Sequence, residues 1–279
     1  MRARLGFLVM TAVLFASAPV ASAGTAPAGG RTLAVNGIDL AYEVLGDGQP
    51  LLLLHSGTQS GEMWDGFVAD LAARYTVIIP DLRGHGGSTN PEHVWSTRMF
   101  ANDIRELLDH LGIDRFSAIG ASAGAMTLLH MAIQEPHRIE AMVVIGVGTY
   151  LPSSCREILA AASTDSLSEA GWEQLRARHH HGDDQIRALY AWVASLSEDE
   201  TDMVFTPPML AKITARTLVI HGDRDYCFPA SMALEIYEAI PEAYLWVVPN
   251  GGHVPISGPQ AAPFLDNVLE FLGGGWQPR

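Results

Sequence analysis

The sequence predicts an α/β fold, in which a mostly parallel, doubly wound sheet has helices on both faces and carries a helical insertion. Three observations predict it. Short apolar runs alternate with amphipathic runs of helical spacing, which is the pattern of successive strand–helix units. Some apolar runs, such as Leu51 to Leu54, contain no polar residue, as expected for strands buried on both faces. The alternation stops between Leu151 and Leu210, where no strand-like run occurs.

The first two strands are predicted to form a hairpin. Arg31 to Val35 and Ile38 to Leu45 flank Asn36-Gly37, a dipeptide typical of a two-residue hairpin turn. The other strand-like runs are Leu51 to Leu54, Tyr75 to Pro80, Phe116 to Gly120, Ala141 to Gly146, Thr217 to Ile220 and Tyr244 to Val248. The amphipathic runs are Met63 to Arg74, Thr97 to Leu111, Ala123 to Gln134, Ala230 to Ile240 and Pro263 to Leu272.

The chain has 279 residues, of which 48% are hydrophobic, and this is enough for one large core with a smaller insertion. We expect residues 31–150 and 211–279 to form that core. Residues 151–210, called the cap segment below, have helical spacing and end in Thr206-Pro207-Pro208. We expect them to form a helical cap over the end of the sheet where the loops meet. The alternative is an ordinary helical insertion that does not act as a lid.

The amino terminus has the pattern of a secretory signal peptide. Arg2 and Arg4 precede an apolar run from Leu5 to Phe15, which is short for a bilayer span, and Ala21-Ser22-Ala23 is a small-x-small cleavage site. This predicts a signal peptide over residues 1–23, with an uncleaved membrane anchor as the alternative.

The region after the predicted cleavage site consists mostly of small residues and is rich in glycine, so we expect residues 24–30 to be a flexible leader. The protein is then secreted or periplasmic, in an oxidising compartment. Only Cys155 and Cys227 are present, so one disulfide is possible.

The formal net charge of −14 makes nucleic acid an unsuitable partner, because no basic cluster could follow a phosphate backbone. The acidity favours solubility. We expect a small-molecule substrate and no stable anchoring in a membrane, and the sequence leaves the oligomeric state open.

A candidate nucleophile lies at Gly120-Ala121-Ser122-Ala123-Gly124, which matches the pattern G-x-S-x-G. The pattern follows a predicted strand and opens a predicted helix. A sharp strand-to-helix turn needs small residues beside the serine, because the backbones crowd there, and it directs a helix N-terminus at the hydroxyl. The alternative is a tight turn with an incidental serine.

The chain resembles the α/β-hydrolase superfamily over nearly its whole length after the leader. Besides the serine motif, three segments carry the resemblance: Leu51 to His55, an apolar strand ending in histidine; Asp81 to Ser88, which matches D-x-R-G-x-G-x-S; and His221 to Asp225, which is similar to the family's G-D-x-D loop. Where the family usually has His-Gly, this chain has His55-Ser56-Gly57.

The resemblance implies a Ser–acid–His triad in that chain order. His253 follows the last strand, in the loop from which the family presents its base, and histidine has a pKa suited to removing the serine proton. Asp225 is the predicted acid, which fixes the histidine tautomer. Asp223 is its rival, which we expect instead to brace the turn through backbone amides.

The resemblance also implies an oxyanion hole made of two backbone amides. One is that of Ala123, the residue after the nucleophile. The family register indicates Gly57 for the other, with Ser56 as the alternative.

No cofactor or metal is expected. The sequence has no G-x-G-x-x-G phosphate loop, and His179-His180-His181 is unsuited to one ion because adjacent helical residues point in different directions. We expect this run to be a solvated patch on the cap segment. His55 and His85 are expected to support the glycine turns beside them.

These features predict a serine hydrolase that cleaves small to medium carboxylic esters. A lactonase, a carbon–carbon bond hydrolase and a cofactor-free perhydrolase share the same triad, and the fold does not decide among them. A catalytically inactive binding protein is the alternative from another class.

Overall fold

A computed structural model describes residues 30–277. The predicted signal peptide and nearly all of the predicted leader lie outside the described residues. Eight strands form one sheet in this part of the chain, in the order β1-β2-β4-β3-β5-β6-β7-β8. The strands are β1 (Arg31–Val35), β2 (Ile38–Leu45), β3 (Gln49–Leu54), β4 (Tyr75–Pro80), β5 (Phe116–Ala121), β6 (Ile139–Ile145), β7 (Arg216–Gly222) and β8 (Ala243–Val248).

The sheet is mostly parallel, which confirms the predicted fold class. Strand β2 pairs antiparallel with both β1 and β4, and every other neighbouring pair is parallel. The helices of the described residues are α1 (Asp65–Ala72), α2 (Thr97–His110), α3 (Ala123–Gln134), α4 (Ser153–Ala160), α5 (Glu169–Arg178), α6 (Gly182–Ser195), α7 (Pro207–Leu210), α8 (Ala230–Ala239) and α9 (Ala261–Leu272).

Two apolar layers cover the two faces of the sheet. Along β3, Leu52 and Leu54 belong to one buried cluster, whereas Leu51 and Leu53 belong to the other. Successive strand residues point to opposite faces, so an uninterrupted leucine run is what a doubly covered strand requires. Within residues 30–277, no helix has the length and hydropathy needed to cross a membrane.

The hairpin strands have the predicted bounds, but three of the inner strands begin earlier than predicted. β6 starts at Ile139 instead of Ala141, because its ladder with β5 continues past the exposed Glu140. Hydrophobic patterning follows burial, whereas strand ends follow backbone pairing. The predicted first helix is likewise split, into a 3₁₀ turn over Gly61–Trp64 and α1.

The cap segment contains α4 to α7 and packs on the core. Leu159, Leu189 and Trp192 belong to the same buried cluster as Ala123, at the start of α3. A disulfide joins Cys155 in α4 to Cys227 in the loop after β7, across a sequence separation of 72 residues. Closing a loop of that length removes entropy from the unfolded chain worth about 4 kcal/mol in the chain-entropy model.

Candidate active site

The candidate nucleophile Ser122 lies in a strained turn between β5 and α3. Its backbone has φ 50° and ψ −112°, a conformation that non-glycine residues rarely adopt. A Cβ on Gly120 would lie 2.6 Å from the carbonyl oxygen of Gly124, and one on Gly124 would collide with the carbonyl oxygen of Leu54. The two glycines therefore permit the turn. The Ser122 amide donates to the carbonyl of Ile145 at 2.8 Å, which ties the turn to β6.

The loop after β8 brings His253 between the serine and a carboxylate. His253 Nε2 lies 2.9 Å from Ser122 Oγ, and its Nδ1 lies 2.9 Å from Asp225 Oδ2. An ionised carboxylate can only accept, so Nδ1 carries the proton and donates to Asp225. Nε2 is then the acceptor for the Ser122 hydroxyl, which is the arrangement that a general base requires.

The carboxylate of Asp225 is fully buried, and both of its oxygens have hydrogen-bond partners. Its Oδ1 accepts from the amides of Cys227 at 2.7 Å and Phe228 at 3.1 Å, while Oδ2 faces His253. Burial alone would raise the pKa of Asp225. The hydrogen bond and charge of His253, together with the two amides, outweigh burial and hold that pKa below its ordinary value.

Asp223 lies outside this arrangement. It is exposed, and its backbone amide donates to the carbonyl of Val248 at 3.2 Å. Within the described residues its carboxylate accepts no hydrogen bond from a backbone amide, so the expectation that it braces the turn is wrong there. The carboxylate that accepts from amides of this loop is that of Asp225.

Two aromatic rings that the sequence analysis did not single out pack against the base. The ring centroids of Tyr226 and Phe228 lie 5.3 Å and 5.7 Å from that of His253. Burial, followed by the charge of Asp225, raises the pKa of Tyr226 to about 12, so its hydroxyl stays protonated. The rings leave His253 with 13% of its side chain exposed.

The candidate oxyanion hole lies where the loop after β3 meets the start of α3. A Cβ on Gly57 would lie 3.8 Å from the Cβ of Ala123. Ala123 is the first residue of α3, where an amide has no partner within its own helix. The amide of Ser56 donates to Met63 Sδ at 3.5 Å, whereas no described residue accepts from the amide of Gly57. This favours Gly57 over Ser56 as the second donor.

His55 orients the peptide that carries the Gly57 amide. Its Nε2 accepts from the amide of Leu82 at 2.9 Å, so its Nδ1 is protonated and donates to the carbonyl of Ser56 at 2.8 Å. The N–H and C=O of a trans peptide point in opposite directions. Fixing the Ser56 carbonyl therefore directs the Gly57 amide away from His55.

The expectation of a solvated histidine patch is wrong for His179, which is 1% exposed. Its Nδ1 accepts from the amide of Gly86 at 3.0 Å, and its Nε2 lies 3.2 Å from the carbonyl oxygen of Thr58. His180 and His181 are exposed. His179 is the C-cap of α5, with extended backbone angles, so spacing rules for helix faces do not apply to it.

The buried histidines His55, His85 and His179 should make the fold sensitive to acid. Burial lowers the pKa of each to about 3. In the unfolded chain they bind protons near their ordinary pKa of roughly 6.5. Their contribution to stability is therefore complete above that pH and is lost as the pH falls towards 3, with a slope of up to about 1.4 kcal/mol per pH unit for each group.

This is tested by urea unfolding at pH 7, 6 and 5. His85→Leu is the matched variant, because Trp95 Nε1 also donates to the Arg83 carbonyl that His85 contacts. In the variant, the free energy of unfolding should change less steeply with pH, by the contribution of one histidine. A free energy of unfolding that is constant from pH 7 to pH 5 would contradict the prediction.

No group of three or more His, Cys, Asp or Glu side chains within residues 30–277 is arranged to hold a metal ion. The groups that the structure brings together at this site are a serine hydroxyl, an oriented imidazole and a carboxylate, beside the two candidate oxyanion amides.

A family model described as the alpha/beta hydrolase fold matches residues 49–187. A 2-hydroxy-6-oxononadienedioate/2-hydroxy-6-oxononatrienedioate hydrolase of Pseudomonas putida is 27% identical over 271 residues, covering 84% of this chain and 92% of that protein. A solved structure of a hydrolase from Pseudomonas aeruginosa PA01 is 26% identical, with a TM-score of 0.72, and the match covers 88% of this chain and 99% of that one.

Other relatives match at higher identity over a shorter part of the chain. An uncharacterized protein of Mycobacterium tuberculosis is 36% identical over 114 residues, which is 41% of this chain. The chain matches only 33% of the length of that relative.

Proposed function

Because this chain belongs to the α/β-hydrolase superfamily, we propose that it is a serine hydrolase that cleaves small to medium, largely apolar carboxylic esters. The observation that carries the proposal is the position of His253, within 2.9 Å of both Ser122 Oγ and Asp225 Oδ2. A binding protein does not need a hydroxyl, an imidazole and a buried carboxylate in this sequence of contacts.

The geometry supports a two-step mechanism. His253 Nε2 takes the proton of Ser122 as its Oγ attacks the ester carbonyl carbon, and the imidazolium is stabilised by Asp225. The negative charge that develops on the carbonyl oxygen is bound by the amides of Gly57 and Ala123. Collapse breaks the ester bond, and the imidazolium gives its proton to the leaving alkoxide. Water then releases the acid from Ser122 by the same route.

The preference for small, apolar esters rests on the cap segment. Trp192 lies within contact distance of the position that a Gly57 side chain would occupy, with ring carbons 3.8 Å and 3.9 Å from it. An indole there limits the length of an acyl group and excludes water beside the developing oxyanion. Amides should react slowly, because their leaving amine must be protonated.

We expect kcat/KM for p-nitrophenyl esters to be highest at short and medium acyl chains and to fall towards sixteen carbons. The measurement is kcat/KM over chains of two to sixteen carbons, together with lactones and amides. Trp192→Ala is the matched variant, which should shift the optimum to longer chains. A steady rise to the longest chain with activation at an oil–water interface would indicate a lipase and contradict the proposal.

Hydrolysis of a carbon–carbon bond is the second candidate. It is favoured by the Pseudomonas putida relative, whose name describes a dienedioate hydrolase and whose match covers 84% of this chain. A vinylogous oxo-acid substrate distinguishes the two candidates. Turnover of this substrate that exceeds every ester in kcat/KM would replace the ester assignment.

We also propose that the protein is exported from the cytoplasm after cleavage of a signal peptide. The sequence pattern of residues 1–23 motivates it, and the Cys155–Cys227 disulfide supports it, because such bonds persist in oxidising compartments. Cleavage would leave Gly24 as the amino terminus. Isolation of the native protein with residues 1–23 still attached would contradict this.

A further inference from the structure

We propose that His179 is a positioning residue for the candidate oxyanion hole, acting from the cap segment through the carbonyl of Thr58. The inference rests on the proposed function, because it concerns the same hole. The amide of Gly86 can only donate, so the Nδ1 of His179 is its acceptor. The Nε2 atom of this neutral ring then carries the proton and donates to Thr58 O at 3.2 Å.

Thr58 occupies a backbone conformation that needs external support. Its φ is +60°, which is unfavourable for a β-branched residue. It lies in the turn closed by the hydrogen bond from the Gln59 amide to the Ser56 carbonyl at 3.1 Å. A positive φ at the third residue of a turn normally selects glycine or asparagine. Such a conformation persists only where neighbouring groups enforce it, and His179 is such a neighbour.

The two carbonyls that flank Gly57 along the chain are held by different histidines. His55, from the core, donates to the carbonyl of Ser56, and His179, from the cap segment, donates to that of Thr58. The Gly57 amide lies between these two fixed points. When the Thr58 carbonyl is released, the turn can relax towards a negative φ, and that relaxation moves the Gly57 amide.

The environment keeps His179 in the form that this role requires. Burial, followed by the neighbouring His85 and Arg178, lowers the pKa of His179 to about 3. A neutral ring can accept at Nδ1 and donate at Nε2 at the same time, whereas a protonated ring could not accept from Gly86.

Neighbouring contacts of the cap segment provide a control. His181 Nε2 lies 2.9 Å from the carbonyl oxygen of Gly87, and the side-chain amide of Gln185 donates to the carbonyls of Gly84, Gly86 and Ser88. These bonds also attach the cap segment to the core, but none of them reaches Thr58. Loss of the His181 contact therefore weakens the attachment without releasing the turn.

The test uses two variants that each keep one of the two His179 hydrogen bonds. Asparagine places its side-chain oxygen near the position of Nδ1, so His179→Asn keeps the Gly86 bond and loses the Thr58 bond. Glutamine places its amide nitrogen near the position of Nε2, so His179→Gln keeps the Thr58 bond and loses the other. Each variant loses one bond, and we expect similar decreases in Tm.

The activities should nevertheless differ. We expect His179→Asn to slow the labelling of Ser122 by a fluorophosphonate roughly tenfold, less than the 10²–10³-fold effect of losing an oxyanion donor altogether. The kcat for p-nitrophenyl butyrate should fall to the same extent with little change in KM. His179→Gln should keep at least a third of the labelling rate, and His181→Ala should stay within twofold of the unmodified protein.

A Thr58→Gly substitution gives an independent measurement, because glycine adopts a positive φ without support. When Thr58→Gly is combined with His179→Asn, the labelling rate should be at least threefold higher than in His179→Asn alone. Equal losses in the Asn and Gln variants, a tenfold loss in His179→Gln, or no restoration by Thr58→Gly would overturn the inference while leaving the proposed function intact. If the unmodified protein is not labelled at all, both the proposed function and the inference are overturned.

Discussion

Replacing Ser122 with alanine is expected to lower kcat by roughly 10³-fold or more, and His253→Ala should have an effect of the same order. The 2.9 Å contact between Ser122 Oγ and His253 Nε2 makes the two side chains one unit, in which neither can form the acyl-enzyme alone. The losses should therefore not add in the double variant.

The measurement is kcat for p-nitrophenyl butyrate, with circular dichroism to show that each variant is folded. Tyr226→Phe is a useful comparison, because it keeps the ring beside His253 and removes only a hydroxyl. Near-normal turnover in either alanine variant would disprove the assignment of that residue. Fully additive losses would show that the two residues act independently.

Asp225→Asn is expected to lower kcat by roughly 10²-fold or more, whereas Asp223→Asn should stay within about twofold. The amides of Cys227 and Phe228 donate to Oδ1, so they select the oxygen of an asparagine at this position. Its NH₂ group would then face Nδ1 of His253 and donate to it. His253 would carry its proton on Nε2, where it could no longer accept one from Ser122.

Asp223→Asn is the matched control, since it removes the same charge two residues away from an exposed position. Measurement of kcat for both variants at one pH decides between the two carboxylates. Equal losses, or a larger loss at Asp223, would reverse the assignment of the acid.

Much of the fold could be predicted from the sequence, because the pattern of apolar and polar residues reflects which positions are buried. The run Leu51 to Leu54 predicts a strand covered on both faces, and helix α3 has the bounds that its motif predicts. Strand ends such as Ile139 are set by backbone pairing with β5, which leaves no hydrophobic signal.

In the candidate site too, some residues are indicated by local motifs, whereas others depend on contacts between distant parts of the chain. Ser122, Asp225 and His253 lie in motifs whose spacing indicates their position, and the structure brings them together. The choice between Ser56 and Gly57 depends on a contact with the sulfur of Met63, seven residues away, which no local pattern records. His179 was missed because a run of three histidines resembles a polar surface, although two of its contacts lie about 90 to 120 residues away.

The disulfide between Cys155 and Cys227 also determines what a protease can do to this protein. The covalent ring that the bond closes contains all of the cap segment after Cys155, together with β7. A single proteolytic cut within that ring leaves one covalent molecule, heavier only by the water added at the cut, because the two pieces remain bonded through sulfur. They separate only after reduction. The Cys227 amide donates to Asp225 at 2.7 Å, so the disulfide that holds the two pieces together lies next to the candidate acid.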